Sequence, residues 1–208
     1  MDIKTNVLKR FVIYMAILTF VMFTVWALVR SFMNRPPGDY ETEVCDIRLK
    51  DKKYDEAIVA ANTALQKTPN HRGAIMCKAL VFISKKEYKK ANEELDFLIS
   101  FLKKNLENDD KTGKGTLAAA YANRGIIKDR KEDYEGALKD YVKALGIDHE
   151  AVAGPGLGTV ILNYKFKSSS VKERALYLNE QLQLPENERI LKIEELDEGQ
   201  VMHKPGKL

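Results

Sequence analysis

Hydrophobic and polar positions divide the chain into an uninterrupted apolar run near the amino terminus and a longer part with helical periodicity. Residues 11–29, FVIYMAILTFVMFTVWALV, contain no charge, glycine or proline. A helix rises about 1.5 Å per residue, so about 20 residues span a hydrocarbon core of roughly 30 Å. Arg30 follows the run and can extend its charged group to the headgroups. The pattern therefore predicts a transmembrane helix over residues 11–33.

A cleaved signal peptide is the alternative interpretation of this segment. Val25-Trp26-Ala27 has the small-x-small form of a cleavage site. The apolar run is longer than a usual signal core and continues past that point, which favours an uncleaved anchor that contacts the lipid bilayer through residues 11–33.

The orientation of the span follows from its flanking basic residues. Lys4, Lys9 and Arg10 precede it, and Arg30 and Arg35 follow it. Lysine and arginine close to a span favour the cytoplasmic side. More basic residues precede the span than follow it, which predicts a single-pass membrane protein whose amino terminus is cytoplasmic. In a bacterium the residues after the span would then be periplasmic, with a cytoplasmic location as the alternative.

The remaining chain repeats one amphipathic pattern. In residues 133–145, DYEGALKDYVKAL, apolar and small residues follow helical spacing, which predicts a helix with one broad buried face. The motif Tyr-x-x-Ala begins this helix and occurs three times, as Tyr54 with Ala57, Tyr88 with Ala91, and Tyr134 with Ala137. The tyrosines are 34 and then 46 residues apart, so the third unit follows an insertion. Each alanine is predicted to lie where two helices cross closely.

Over residues 38–150 the chain resembles the tetratricopeptide repeat family, in which units of about 34 residues form pairs of helices. Small residues at Ala79 and Gly125 agree with this resemblance, whereas Arg48 and Lys128 replace a usual tyrosine of the first helix. The resemblance implies an all-α fold, an α-solenoid of helical hairpins. We expect three clear repeats, a degenerate fourth hairpin and a capping helix that starts at Pro185.

The predicted organisation follows these boundaries. It comprises a cytoplasmic tail (1–10), the transmembrane helix (11–33), a linker (34–39), repeats one to three (40–150) with an insertion at 104–116, a degenerate hairpin and capping helix (151–198), and a flexible tail (199–208). The first part of the insertion can prolong the preceding helix, which Gly113 and Gly115 are then expected to break. The insertion is expected to be a solvated loop, or else a loop that contacts a partner.

Charge and candidate chemistry make several classes of function unexpected for this chain. The net charge is +4 and no basic stripe is visible, so we expect no nucleic-acid partner. Cys45 and Cys77 have no metal or redox spacing and are expected to be small buried side chains, although an oxidising compartment would permit a disulfide. The histidines lie far apart in sequence. We therefore expect no metal, no cofactor, no catalytic residues and no enzymatic activity.

The family resemblance implies that first helices line a concave face that binds a peptide or helix of a partner. The matching positions form a predicted partner-binding groove of Met76, Leu80, Ile83, Asn123, Ile126 and Arg130. Its apolar centre suits an apolar peptide or an amphipathic helix. The alternative for each of these residues is that it packs in the ordinary core between helices.

These features favour a membrane-anchored scaffold that mediates protein–protein interaction. Such a scaffold would act as an assembly factor or accessory subunit of a larger membrane protein complex, and its partners would be subunits of that complex. The alternative is a chaperone-like or targeting receptor that transiently binds secreted or imported clients.

Overall fold

The computed structural model describes residues 5–152 and 170–193, and this part of the chain is all-helical, without strands. The all-α fold class is thereby confirmed. The helices are α1 (Thr5–Met33), α2 (Asp39–Lys50), α3 (Tyr54–Lys67), α4 (Arg72–Ser84), α5 (Tyr88–Asn105), α6 (Lys111–Arg130), α7 (Tyr134–Ile147) and α8 (Val171–Leu182), followed by one 3₁₀ turn (Glu186–Glu188).

Helix α1 is long and apolar enough to cross a membrane. Its apolar segment, Val7–Arg30, has 24 residues, and none of that segment is buried against the rest of the chain. The hydroxyl of Thr19 donates to the carbonyl oxygen of Met15, which satisfies this polar group inside the helix. The Arg30 guanidinium lies 5.0 Å from the centre of the Trp26 ring, at the end where the apolar segment stops.

Three helical hairpins follow, each made of two consecutive helices in contact: hairpin 1 (α2 and α3), hairpin 2 (α4 and α5) and hairpin 3 (α6 and α7). Their internal turns are equivalent. A residue with left-handed backbone stands two positions before each repeated tyrosine, namely Lys52 (φ 59°), Lys86 (φ 61°) and Glu132 (φ 64°). The next amide N–H then reaches back five residues, as in the 2.8 Å bond from Glu87 to the Phe82 carbonyl. This is the Schellman helix end.

The left-handed turn residues give a prediction about stability. A non-glycine residue there costs roughly 1–2 kcal/mol, whereas glycine adopts the same backbone without that strain. Lys86 is exposed, so Lys86→Gly removes little packing. We expect Lys86→Gly to raise the free energy of unfolding by about 1 kcal/mol. Denaturant unfolding of the full chain in detergent measures it, with exposed Lys89→Gly on α5 as the destabilising control. A less stable Lys86→Gly variant would contradict the prediction.

The repeated alanines lie at tight crossings, as the motif predicts. Ala57, Ala91 and Ala137 are each fully buried. Gly125 on α6 has the same function in hairpin 3, because an added Cβ would approach the Tyr141 ring to 2.6 Å. Tyr141 is itself fully buried, and its hydroxyl donates to Asp129.

The hairpins stack so that their first helices form one layer. Helix α4 contacts both α2 and α6, and the contacts of α3 with α4 and of α5 with α6 join successive hairpins. The main hydrophobic core runs from α4 to α8, and a smaller cluster beside Cys45 joins hairpins 1 and 2. This first-helix layer (α2, α4 and α6) carries the predicted groove residues.

The insertion at 104–116 is mostly helical and not a loop. Helix α5 continues to Asn105 and α6 begins at Lys111, so only residues 106–110 connect them. The Asp110 carboxylate accepts the Gly113 N–H at 2.6 Å and caps α6 before the glycines. The expectation that Gly113 and Gly115 interrupt the helix is therefore wrong.

The structure after hairpin 3 is described only in part. Helix α8 starts with a capping box, in which Ser170 and Glu173 satisfy each other's backbone N–H groups. The helix predicted from Pro185 is limited to the 3₁₀ turn, and residues 189–193 are not helical. Their backbone bonds to α8 instead, since the Ile190 N–H donates to the Gln181 side chain and the Tyr177 hydroxyl donates to the Ile190 carbonyl. Residues 153–169, the last residues of the capping segment and the tail at 199–208 lie outside the described residues.

Candidate partner-binding surface

The predicted groove residues lie on two neighbouring helices of the first-helix layer. Met76, Leu80 and Ile83 belong to α4, and Asn123, Ile126 and Arg130 belong to α6. The two helices meet at these residues, because the Asn123 side-chain amide lies 3.5 Å from the Met76 sulfur. The structure thus brings together residues 47 positions apart in sequence.

These residues are buried, apart from Arg130. Met76, Ile83 and Ile126 are each 1% exposed, Leu80 is 4% exposed and Asn123 is fully buried. Arg130 is partly exposed. A partner can therefore reach the apolar centre only if the atoms covering it move. Partner binding at these six positions stays a prediction.

A disulfide joins the first helices of hairpins 1 and 2. Cys45 on α2 and Cys77 on α4 are both fully buried, and their Cα atoms are 6.4 Å apart. The sequence predicted the burial and left the oxidation state open. The bond fixes α2 and α4 next to each other in the layer that carries the predicted groove.

An ion-pair network holds hairpin 3 against α5. The Arg124 guanidinium on α6 donates two 2.8 Å hydrogen bonds to Asp140 on α7 and one 2.6 Å bond to Asp96 on α5. Lys128 adds a second cation 2.8 Å from Asp140. Paired hydrogen bonds between guanidinium and carboxylate fix the orientation of both groups, so this network sets the register of three helices.

The network shifts the pKa values of Asp140 and Arg124. Burial alone raises the pKa of Asp140, but the hydrogen bonds from Arg124 and Lys128 outweigh it and hold the pKa below its usual range. The hydrogen bonds to Asp140 also raise the pKa of Arg124. A carboxyl with a lowered folded pKa stabilises the fold above its unfolded pKa, about 3.9, and loses that contribution as pH falls through the folded value.

A second ion pair is almost completely buried and was not predicted from the sequence. Arg174 on α8 donates to both oxygens of Asp129 on α6, at 2.8 and 2.7 Å, and both side chains are 1% exposed. The Tyr141 hydroxyl donates to the same carboxylate at 3.1 Å. Arg174 also donates to the Leu191 carbonyl at 2.9 Å. This Asp129–Arg174 pair connects hairpin 3, α8 and the extended segment after it.

No family model matches the chain, and no curated protein matches it.

The described side chains form contacts between helices and offer surfaces to which another molecule could bind. Across residues 5–152 and 170–193, no group of three or more His, Cys, Asp or Glu side chains could hold a metal ion. His71 has a structural role there: its Nδ1 accepts the Ala74 N–H at the start of α4, and its Nε2 donates to Asp39 at 2.9 Å. The arrangement can position helices and present surfaces, and we assign it no chemical step.

Proposed function

We propose that this chain is a single-pass, membrane-anchored scaffold of the tetratricopeptide repeat type. It acts as an assembly factor or accessory subunit of a larger membrane protein complex. The observation that carries the proposal is the direct connection of an apolar 24-residue helical segment to three hairpins with equivalent turns. The anchor confines the chain to the bilayer, and the stacked hairpins offer an extended surface for a protein partner.

The equivalence of the hairpins supports the repeat assignment. Each has the left-handed turn residue, the following tyrosine and the buried alanine at the same relative positions. Neighbouring first helices also contact each other, as stacked helix pairs do in α-solenoids. Repeat stacks of this kind bind partners through extended surfaces.

The Cys45–Cys77 bond supports the orientation with the hairpins outside the cytoplasm. Structural disulfides persist in oxidising compartments such as the periplasm and are rare in the cytosol. The basic residues Lys4, Lys9 and Arg10 before the span favour a cytoplasmic amino terminus. The disulfide and the basic residues favour the same single-pass topology, with a periplasmic repeat domain in a bacterium.

Purification from native membranes in mild detergent tests the proposed function. The tagged full chain is compared with a variant whose residues 7–30 are replaced by an unrelated apolar span. We expect a small, stoichiometric set of membrane-complex subunits with both proteins, because the hairpins supply the binding surface.

The intact mass of the purified chain tests the anchor, and a mature amino terminus at Leu28 would contradict it.

The other outcomes are distinct. Partners that are lost with the replaced span would place the interface on α1. Many weakly held, unfolded clients would favour the chaperone-like receptor. Retention of no protein by either version would contradict the scaffold.

A further inference from the structure

We propose that the extended end of hairpins 2 and 3, residues 103–111, lies on the lipid headgroups beside α1. We call this segment the membrane-facing tip. The inference rests on the proposal that α1 spans a bilayer, and it adds which end of the hairpin stack faces that bilayer. The surface that contacts the tip is the lipid headgroup layer.

The linker after α1 is fixed to the hairpin stack. The Thr68 hydroxyl, after α3, donates to the Pro37 carbonyl at 2.7 Å. Gly38 lies so close to the stack that an added Cβ would be 3.0 Å from the His71 ring and 3.1 Å from the Ala64 carbonyl oxygen. The chain leaving α1 is thus held where α2 begins, α3 ends and α4 begins.

Charged groups reinforce this attachment. Arg35 in the linker pairs with Glu43 on α2 at 2.9 Å. At the start of α2, Asp39 contacts His71 at 2.9 Å and Glu41 contacts Lys67 at 2.6 Å. These contacts connect one end of α2 to the ends of α3 and α4, so the linker cannot move independently of the stack while they persist.

Only a short length of chain separates this attachment from the bilayer. The apolar segment ends at Arg30, and α1 continues only to Met33. Three helical steps and four extended residues between Arg30 and Pro37 span at most about 20 Å. The stack therefore meets the membrane at the end where hairpins connect to one another, and not at the end that carries Lys52, Lys86 and Glu132.

Helices α5 and α6 project furthest at this end. Helix α5 starts at a tyrosine equivalent to that of α3 and has 18 residues where α3 has 14. Helix α6 ends at a position equivalent to the end of α4 and has 20 residues where α4 has 13. The extra residues add about 6 Å to α5 and about 10 Å to α6, both toward the membrane-facing end.

The tip is held in this position. Arg72, at the start of α4, pairs with Asp110, which also caps α6. His71, the neighbour of Arg72, contacts the start of α2. Successive contacts thus run from the linker through α4 to the tip, across helices whose axes are typically 8–10 Å apart.

The tip's exposed side chains suit a headgroup layer. Lysines and acids are interspersed there, and the exposed ones are Lys103, Lys104, Glu107, Asp109 and Lys111. Zwitterionic headgroups carry both signs of charge and can pair with both. The contact is therefore determined by the position of the tip and does not require anionic lipid.

Fluorescence quenching in nanodiscs of zwitterionic lipid tests the inference. The full chain carries one fluorophore, at Lys104→Cys in the tip or at Lys89→Cys at the opposite end of the same helix. Both lysines are exposed, and the native cysteines are joined in the disulfide and do not react. The two sites are about 22 Å apart along α5, so we expect a headgroup-attached quencher to quench the label in the tip at least about twofold more strongly than the label at the opposite end.

Two results overturn the inference and can be told apart. Equal quenching of the two labels in protein that co-elutes with nanodiscs would refute the membrane-facing tip while leaving the anchor intact. Protein that does not co-elute with nanodiscs would refute the span in α1, and the inference with it. Stronger quenching of the tip label that persists in discs free of any other protein supports lipid, and not a partner subunit, as the surface in contact.

Discussion

Replacing Arg174 with alanine is expected to lower the free energy of unfolding by about 3–5 kcal/mol, because it leaves the Asp129 carboxylate buried without its guanidinium. Both side chains are 1% exposed, so water cannot readily replace the lost hydrogen bonds. Arg174 also holds the Leu191 carbonyl, so the extended segment loses a contact as well. Chemical denaturation of the full chain in detergent, followed by circular dichroism, measures the change.

The matched control for Arg174→Ala is Lys172→Ala on the same helix. Lys172 is exposed, and its removal should change stability by less than about 0.5 kcal/mol. Replacing the buried group as a unit, with Asp129→Leu, Tyr141→Phe and Arg174→Met, should recover most of the loss, since apolar side chains need no partner. Equal stability of the Arg174→Ala and Lys172→Ala proteins would show that the pair contributes nothing.

Removing the disulfide is the second large effect we expect. Cys45 and Cys77 are 32 positions apart, and closing a loop of that length restricts the unfolded chain enough to stabilise the fold by about 3–4 kcal/mol in the chain-entropy model. The Cys45→Ala/Cys77→Ala variant should therefore unfold at lower denaturant. Treatment of the wild-type protein with a reductant should give a similar shift.

The double variant also provides the control, because a reductant should not change its unfolding. Because both cysteines are fully buried, alkylation is carried out on the protein unfolded in denaturant without reductant, and mass measurement should then find neither cysteine labelled. Two labelled thiols in protein taken from its own membranes would contradict the bond. Free thiols would also leave the cysteines without any indication of an oxidising compartment.

The sequence predicted the features that depend on local spacing. The charge-free run predicted the apolar helix, and Tyr-x-x-Ala predicted where α3, α5 and α7 begin, because both signals lie within one element. The tight packing of Ala137 was predictable for the same reason, since a small residue in a helical pattern indicates a close neighbour.

Features that depend on two distant elements were harder to predict. Cys45 and Cys77 lie nearly one repeat apart on neighbouring first helices, which is a signal that they face each other, but the repeat alone does not give their distance. Asp129 and Arg174 are 45 positions apart, and neither has a local motif that indicates the other. The residues of the predicted groove lie on first helices, as the repeat spacing indicates, but their burial depends on contacts with other helices that no local pattern shows.

The disulfide also determines how the hairpin stack would respond to mechanical load. A force on α1 would enter the stack at Pro37 and act first on hairpin 1. In stacked repeats each unit contacts mainly its neighbours, so a terminal hairpin is held by a neighbour on one side only. The covalent Cys45–Cys77 link prevents α2 from separating from α4, so tension is shared by hairpins 1 and 2. Tension transmitted between the bilayer and a bound partner would therefore act on a two-hairpin unit.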